Sequence, residues 1–275
     1  MSNRFDLNRT LAENAANGLI LTFGGLDQEG ELIGVVLGTG WGDALALEEA
    51  KSCSFDVVRG MPPLPSLSGH QRRVLFGHLG DRRVIALQGR VHLNEAPPYE
   101  AWPSQATRLQ VEMLMCLGVR KLILTCAAGS LATDLWPVGA FVPIRGFLSL
   151  FAPAMPLFAG EFCSPEDTLR PKVAEAAIRA AGMEARPGVY AMVRGPFFEG
   201  RAVDKSTLYQ MRADLVGMSC LPEACIAALY GAEVAMVAFV TNGSTEVHSH
   251  EENQAKAHAA SASMGAVLAE MIARF

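Results

Sequence analysis

The chain has 275 residues, half of them apolar and 19% charged, a composition too apolar for a disordered protein and a length that buries about 75% of the unfolded surface. Its net charge of −5 leaves no basic excess for counterion release from phosphate backbones, which argues against DNA or RNA polymers as partners. The opening MSNRFDLNRT has no basic stretch leading into an apolar core, and no apolar run reaches the ~20 residues that span a bilayer, so a cytoplasmic protein without membrane partners is expected.

Short β-rich runs alternate with longer helical patterns along the chain, and no linker or repeat divides it. Residues 1–275 are therefore expected to form one α/β domain on a mostly parallel or mixed sheet. The first strand, 33–37, leads directly into Gly38-Thr39-Gly40-Trp41-Gly42, whose backbone NH groups and Thr39 hydroxyl suit an anion but equally suit a tight turn with no ligand. Strands at 72–77 and 83–87 flank Leu79-Gly80-Asp81 and read as a hairpin. After the second of them, Arg90 and His92 stand two apart, on one side of an extended segment. A fork of donors beside an imidazole suits phosphate; a salt-bridged arginine and a solvated histidine are the ordinary alternative.

A helix is expected over 99–117 and a strand over 122–126, followed by the small residues Cys126-Ala127-Ala128-Gly129-Ser130, where a ligand or a neighbouring backbone can approach closely. Past a strand at 141–144, residues 151–171 form a proline-rich loop of the long kind that usually carries function. A helix (167–181) and a strand (187–192) precede Phe197-Phe198-Glu199, and a further helix covers 201–211. The strand at 215–219 ends on Met218-Ser219, with Ser219 also placed to cap the helix 222–230. The strand at 234–240 ends on Thr241-Asn242-Gly243, before a last helix over 251–273. Polar residues at carboxyl ends of strands are the better ligand candidates in such a sheet. The six cysteines show no CxxC and the six histidines no HExxH, so neither a disulfide framework nor a metal is expected.

Seven stretches in register, VVLGTGWG, the SGH at 68–70, QGRVH, LTCAAGSL, GVYAMVRGPFFE, ADLVGMSCLPE, and VTN followed by SHEE, resemble the trimeric purine nucleoside phosphorylase family from Gly34 to the last helix. The resemblance implies a central mixed sheet of eight strands with a smaller sheet forming a distorted barrel, surrounded by helices, and a homotrimer. It implies phosphate bound by Thr39, His70, Arg90, His92, the Ala127 backbone and Ser219. Ribose would lie against Met218 with His250 near its 5′-hydroxyl, Glu199 and Asn242 would face the purine, Phe198 would stack on it, and Phe158 would cap the sugar of a neighbouring subunit. His92, Glu199, Asn242 and His250 are the residues that this resemblance implicates in catalysis.

Departures from the family pattern are Asn94 in place of a tyrosine, Cys126 and Ser130 in place of asparagine and glycine, a spacing of only eight positions from Asn242 to His250, and a shorter proline-rich loop, which together leave His248 as eligible as His250. The reaction that the resemblance implies is phosphorolysis of 6-oxopurine nucleosides, with no cofactor besides inorganic phosphate as co-substrate. A methylthio-nucleoside phosphorylase, whose corresponding stretch also ends Gly-Ser-Leu, and a catalytically weak purine- or phosphate-binding relative are the competing readings.

Overall fold

The computed structural model describes residues 2–26, 30–65, 71–97, 99–246 and 249–275, with the side chains of residues 2–8 and 250 outside the description. The strands are β1 (Leu32–Leu37), β2 (Glu48–Ser54), β3 (Arg73–Leu79), β4 (Arg82–Gln88), β5 (Lys121–Ser130), β6 (Phe141–Leu148), β7 (Gly188–Met192), β8 (Leu215–Gly217) and β9 (Glu233–Asn242). They form one mixed sheet in the order β2-β3-β4-β1-β5-β8-β7-β6-β9, and β9 pairs back onto β5. Strands β5, β8, β7, β6 and β9 thus close into a five-stranded barrel, and β1, β4, β3 and β2 extend from it as an open wing.

Helices α1 (Ser2–Thr22), α2 (Trp102–Cys116), α3 (Pro165–Thr168), α4 (Pro171–Ala180), α5 (Asp204–Gln210), α6 (Leu221–Leu229), α7 (His250–Ala259) and α8 (Ser261–Arg274) surround the sheet. Alternation along the buried strands sorts side chains into two cores. Val36, Leu122, Leu124 and Met236 pack toward α1, α2 and α6. Val35, Ile123, Ala235 and Val237 pack toward α4, α7 and α8.

The α/β class, the mixed sheet and the barrel agree with expectation; among the described residues the strands number nine where eight were expected, and the barrel is continuous with the rest of the sheet. The additional strand, β2, is the polar and mostly exposed EEAKSCS, paired to β3 along one edge, so it shows no apolar alternation to find. Helix α1, which sequence reasoning also passed over, buries mainly small residues, Ala12, Ala15 and Ala16, whose weak hydrophobicity gives little amphipathic contrast. The last helix is two helices, broken at Ala260. The helix expected over 167–181 is interrupted where Leu169 bridges to Val234 and Pro171 begins α4. The hairpin at 79–81 is present, with β3 and β4 antiparallel and Gly80 in the left-handed region.

Candidate active site

Strands β1, β4, β5 and β9 run parallel, and the segments at their carboxyl ends line a common cleft of about 620 Å³. This is where ligands gather in open α/β sheets. Thr39 follows β1; His92, Asn94 and Glu95 follow β4; Ala127, Ala128 and Gly129 belong to β5; Thr241 and Asn242 end β9. The barrel adds Val216, Gly217, Met218 and Ser219, the loop after β7 adds Phe198 and Glu199, and α7 adds Asn253.

Two groups of side chains meet along β5. Beneath Thr39 and Ser219, Arg90 is only 1% exposed, and its guanidinium donates to Glu223 Oε1 at 2.8 Å, Cys220 Sγ at 3.0 Å and the Thr125 carbonyl. Burial opposes that charge, but Cys220 and Glu223 outweigh it and hold the guanidinium above its usual pKa. The fit is tight enough that a Cβ on Gly38 would lie 2.5 Å from the Thr125 carbonyl and 3.0 Å from Arg90 Nη2, so only glycine passes there. The Cys220 thiol, despite burial, is held below its ordinary value by a hydrogen bond with Cys126 and by Arg90; the hydrogen bond with Cys220 and burial drive Cys126 well above it.

Beside this group, Glu95 Oε1 accepts from the His92 backbone NH at 2.7 Å and lies 3.3 Å from His92 Nδ1, while Oε2 takes Arg72. Burial alone would raise the Glu95 carboxyl, but the His92 hydrogen bonds and the His92 and Arg72 charges hold it below the usual carboxylate range. Glu95 thereby fixes the imidazole's orientation through Nδ1.

In the second group, the Asn242 side chain is buried against Gly129, where a Cβ would stand 2.8 Å from Asn242 Nδ2. Asn242 Oδ1 accepts from Thr241 at 3.2 Å, and Nδ2 has no hydrogen-bond partner among the described residues. Glu199, with a side chain 7% exposed, has the Lys205 ammonium 3.6 Å from Oε1. Asn94 Nδ2 lies 3.7 Å from Met218 Sδ, between the two groups.

Of the residues singled out from sequence, Thr39, His92, Ala127, Phe198, Glu199, Met218, Ser219 and Asn242 line this one cleft. Arg90 does not: it lies under the floor, enclosed by Gly38, Thr125, Cys220 and Glu223. Phe158 also lies away from its own chain's cleft, with the Arg108 guanidinium 4.3 Å from its ring. Arg108 in turn pairs with Glu161 and Glu112, which pins the proline-rich loop to α2. His70 and His248 fall outside the described residues, and His250 opens α7 with its side chain outside the description.

Sequence reasoning passed over Glu95, Glu223, Lys205 and Asn253. Glu95 and Glu223 stood within or beside the quoted stretches, three residues after His92 and at the end of ADLVGMSCLPE. Nothing local marks Lys205 or Asn253 as site-facing.

Residues 32–273 match the phosphorylase superfamily. A purine nucleoside phosphorylase of Mycobacterium tuberculosis is 38% identical over 251 residues, covering 88% of this chain and 89% of that protein. The chain belongs to the phosphorylase superfamily, among its purine nucleoside phosphorylases. It is accordingly a pentosyltransferase. Among solved structures, the Schistosoma mansoni purine nucleoside phosphorylase in complex with inosine superposes with a TM-score of 0.81 at 25% identity, covering 97% of this chain and 96% of that one. The same Schistosoma enzyme in complex with adenosine gives 0.79 at 26% identity, covering 95% of each chain.

Among the described residues no group of three His, Cys, Asp or Glu side chains is placed to hold a metal ion, and no helix is long and apolar enough to cross a membrane.

Proposed function

We propose that this phosphorylase acts on 6-oxopurine ribo- and deoxyribonucleosides such as inosine and guanosine, releasing the free base and the sugar 1-phosphate. One observation carries the reading: a carboxylate, Glu199, and a buried amide, Asn242, whose NH₂ is unpartnered among the described residues, line the same cleft as Thr39, His92, Ala127 and Ser219. A 6-oxopurine offers an N1 proton for the carboxylate and O6 and N7 acceptors for the amide. Adenine offers an N1 lone pair, which would leave the carboxylate without its donor.

Cleavage of the bond from C1′ to N9 builds positive charge on the sugar and negative charge on the leaving purine. Asn242 Nδ2 donates to the purine as that charge grows, and Glu199 keeps N1 engaged. Such preorganised contacts are typically worth about 10²- to 10³-fold each. Thr39, the Ala127 backbone, Ser219, His92 and His70 hold phosphate, already ionised, as the nucleophile, so positioning replaces a general base. Arg90 contributes its charge from beneath the Thr39 and Ser219 turns. Met218 underlies the ribose, Phe198 stacks on the base, and His250 or His248 meets the 5′-hydroxyl.

The reading extends to a cytoplasmic homotrimer in purine salvage, one unit over residues 1–275, with Phe158 reaching the neighbour's sugar and no cofactor besides the co-substrate phosphate. Sedimentation should give a trimer; a fully active monomer overturns that part. Dialysis against EDTA should leave activity intact.

The function is tested by incubating inosine, guanosine, adenosine and methylthioadenosine with and without phosphate. Hypoxanthine and ribose 1-phosphate should appear from inosine only when phosphate is present. Free ribose in phosphate-free buffer would make the enzyme a hydrolase, and preference for methylthioadenosine would move it to the methylthio branch.

A further inference from the structure

Lysine is among the residues least often buried, and a cation in the first turn of a helix opposes the helix dipole. Lys205 is both: it lies in the first turn of α5 and is 2% exposed. Its ammonium donates to the Gly243 carbonyl at 3.0 Å and stands 3.6 Å from Glu199 Oε1. Glu199 belongs to the loop before α5, whereas Gly243 directly follows Asn242 at the end of β9. One buried cation therefore ties together the two segments that carry the carboxylate and the amide of the cleft.

The loop is closed on the same lysine. The Lys205 backbone NH donates to the Gly200 carbonyl at 3.0 Å, and the Gly200 NH donates to Asp204 Oδ2 at 2.7 Å. Glu199 thus leaves a short, internally bonded turn whose far end is anchored by the Lys205 side chain to β9. The ammonium engages Oε1, which leaves Oε2 as the oxygen for a ligand's donor.

We infer that Lys205 is a positioning residue that sets base selectivity: by joining Glu199 to the Asn242–Gly243 strand end, it holds the carboxylate at the distance and angle that an N1 proton requires. The inference rests on the assignment of Glu199 and Asn242 to the purine. Lys205 itself touches neither base nor phosphate. Without the ammonium, the loop loses its tie to β9, Glu199 samples other orientations, and the penalty against a base lacking the N1 proton shrinks.

The charged groups facing Lys205 are Glu199 and Glu246, which favour its ammonium, and Arg201, which opposes it. Burial is the largest influence and pulls the lysine below its ordinary value. The tie should accordingly loosen at a pH below that at which an exposed lysine loses its proton.

The test compares Lys205→Met, Lys205→Gln and Lys205→Arg with the unmodified enzyme, using inosine and adenosine across pH. Lys205→Met should lower kcat/KM for inosine on the order of 10- to 10²-fold, the scale of a hydrogen bond to a charged group, with phosphate KM within about twofold. The inosine-to-adenosine ratio should fall by about tenfold. Lys205→Arg should recover most of that ratio and remove the alkaline loss of selectivity, because arginine keeps its charge there. Lys205→Gln, which retains a donor for Gly243 without the charge, separates the two roles if Lys205→Met folds poorly.

A Lys205→Met or Lys205→Gln enzyme with unchanged selectivity overturns the proposal, as does an equal loss for inosine, adenosine and phosphate. Glu199→Ala serves as the control on the underlying reading. If it leaves the inosine rate intact, the base assignment fails; if it abolishes selectivity while the Lys205 variants keep it, only the role of Lys205 fails. The double variant Lys205→Met/Glu199→Ala should be no more than about twofold worse than Glu199→Ala alone, since one residue acts through the other.

Discussion

The two groups of side chains that meet in the cleft are built in opposite ways. Beneath Thr39 and Ser219, charge is sealed inside the protein: Arg90 and Glu223 have side chains 1% and 2% exposed, and β5 and the start of α6 supply the partners of Arg90. Around Glu199 the backbone is a surface loop, with Phe197 65% and Phe198 46% exposed. A lone buried lysine links that loop to the sheet. On the proposed reading, the first arrangement would serve a ligand that is always the same small anion. The second would leave room for the proposed base to enter and depart, with rigidity confined to the groups proposed to read it. Stability and specificity are thereby separated along the cleft.

Breaking the sealed side should produce the largest effect. Glu223→Ala leaves Arg90 buried without its carboxylate, a loss that costs about 3–5 kcal/mol for a buried pair. Thermal unfolding should show it directly, and phosphate KM should rise with it. An unchanged melting temperature would mean that Arg90 does not depend on Glu223 for its charge. On the base-reading side, Asn242→Ala should leave the melting temperature near that of the parent, because it removes a polar group with an unpartnered NH₂. Its cost should fall on kcat/KM for inosine, about 10²- to 10³-fold, with little change in phosphate KM. A variant whose phosphate KM rises as steeply as its nucleoside KM would erase the distinction between the two sides.

Selectivity sharpens the comparison further. The unmodified enzyme should prefer inosine to adenosine by at least ~10²-fold, the penalty for a buried acceptor left without its donor. Glu199→Ala should shrink that preference to near parity, read as the ratio of kcat/KM values. Equal rates of adenosine and inosine cleavage by the unmodified enzyme would refute the assignment of Glu199 to N1.

The smallest effect concerns the loop of Phe158, which lies outside both groups yet is pinned as firmly as the sealed side. Burial would raise the Glu161 carboxyl, but hydrogen bonds from Arg108 and the Phe158 NH and the charge of Arg108 hold it below its ordinary 4.5. A depressed carboxyl contributes stability that is complete above the unfolded value and is lost as pH falls through the folded one. Glu161→Gln should therefore melt below the parent at neutral pH, by a degree or more, and the gap should narrow as pH is lowered from about 5 toward 3. A gap constant across that range would remove the Arg108–Glu161 pair as its cause.

Much of the site was legible because it lies on short segments with strong local signals. Thr39, His92, Ala127, Ser219 and Asn242 each follow or end an apolar strand, and strand ends are where this class of sheet gathers ligands. The parts that escaped notice depend on contacts across long separations. Lys205 reads as an ordinary helical lysine until Gly243, 38 positions away, accepts from it. Arg90 reads as a phosphate fork until Cys220 and Glu223, 130 and 133 positions away, enclose its guanidinium. Strand β2 escaped for the opposite reason: an exposed edge strand has no buried face to impose a pattern.

The sequence by itself determined the α/β class, the hairpin at Gly80 and the residue types offered at the strand ends, since apolar periodicity, turn chemistry and strand polarity are local properties. Only the tertiary structure decided that β9 returns to β5 and closes the barrel, that Glu199 and Asn242 line one cleft, and that Arg90 lies under its floor. Those outcomes follow from strand pairing and from the need of each buried charge for a partner, and both are settled between segments far apart in the chain.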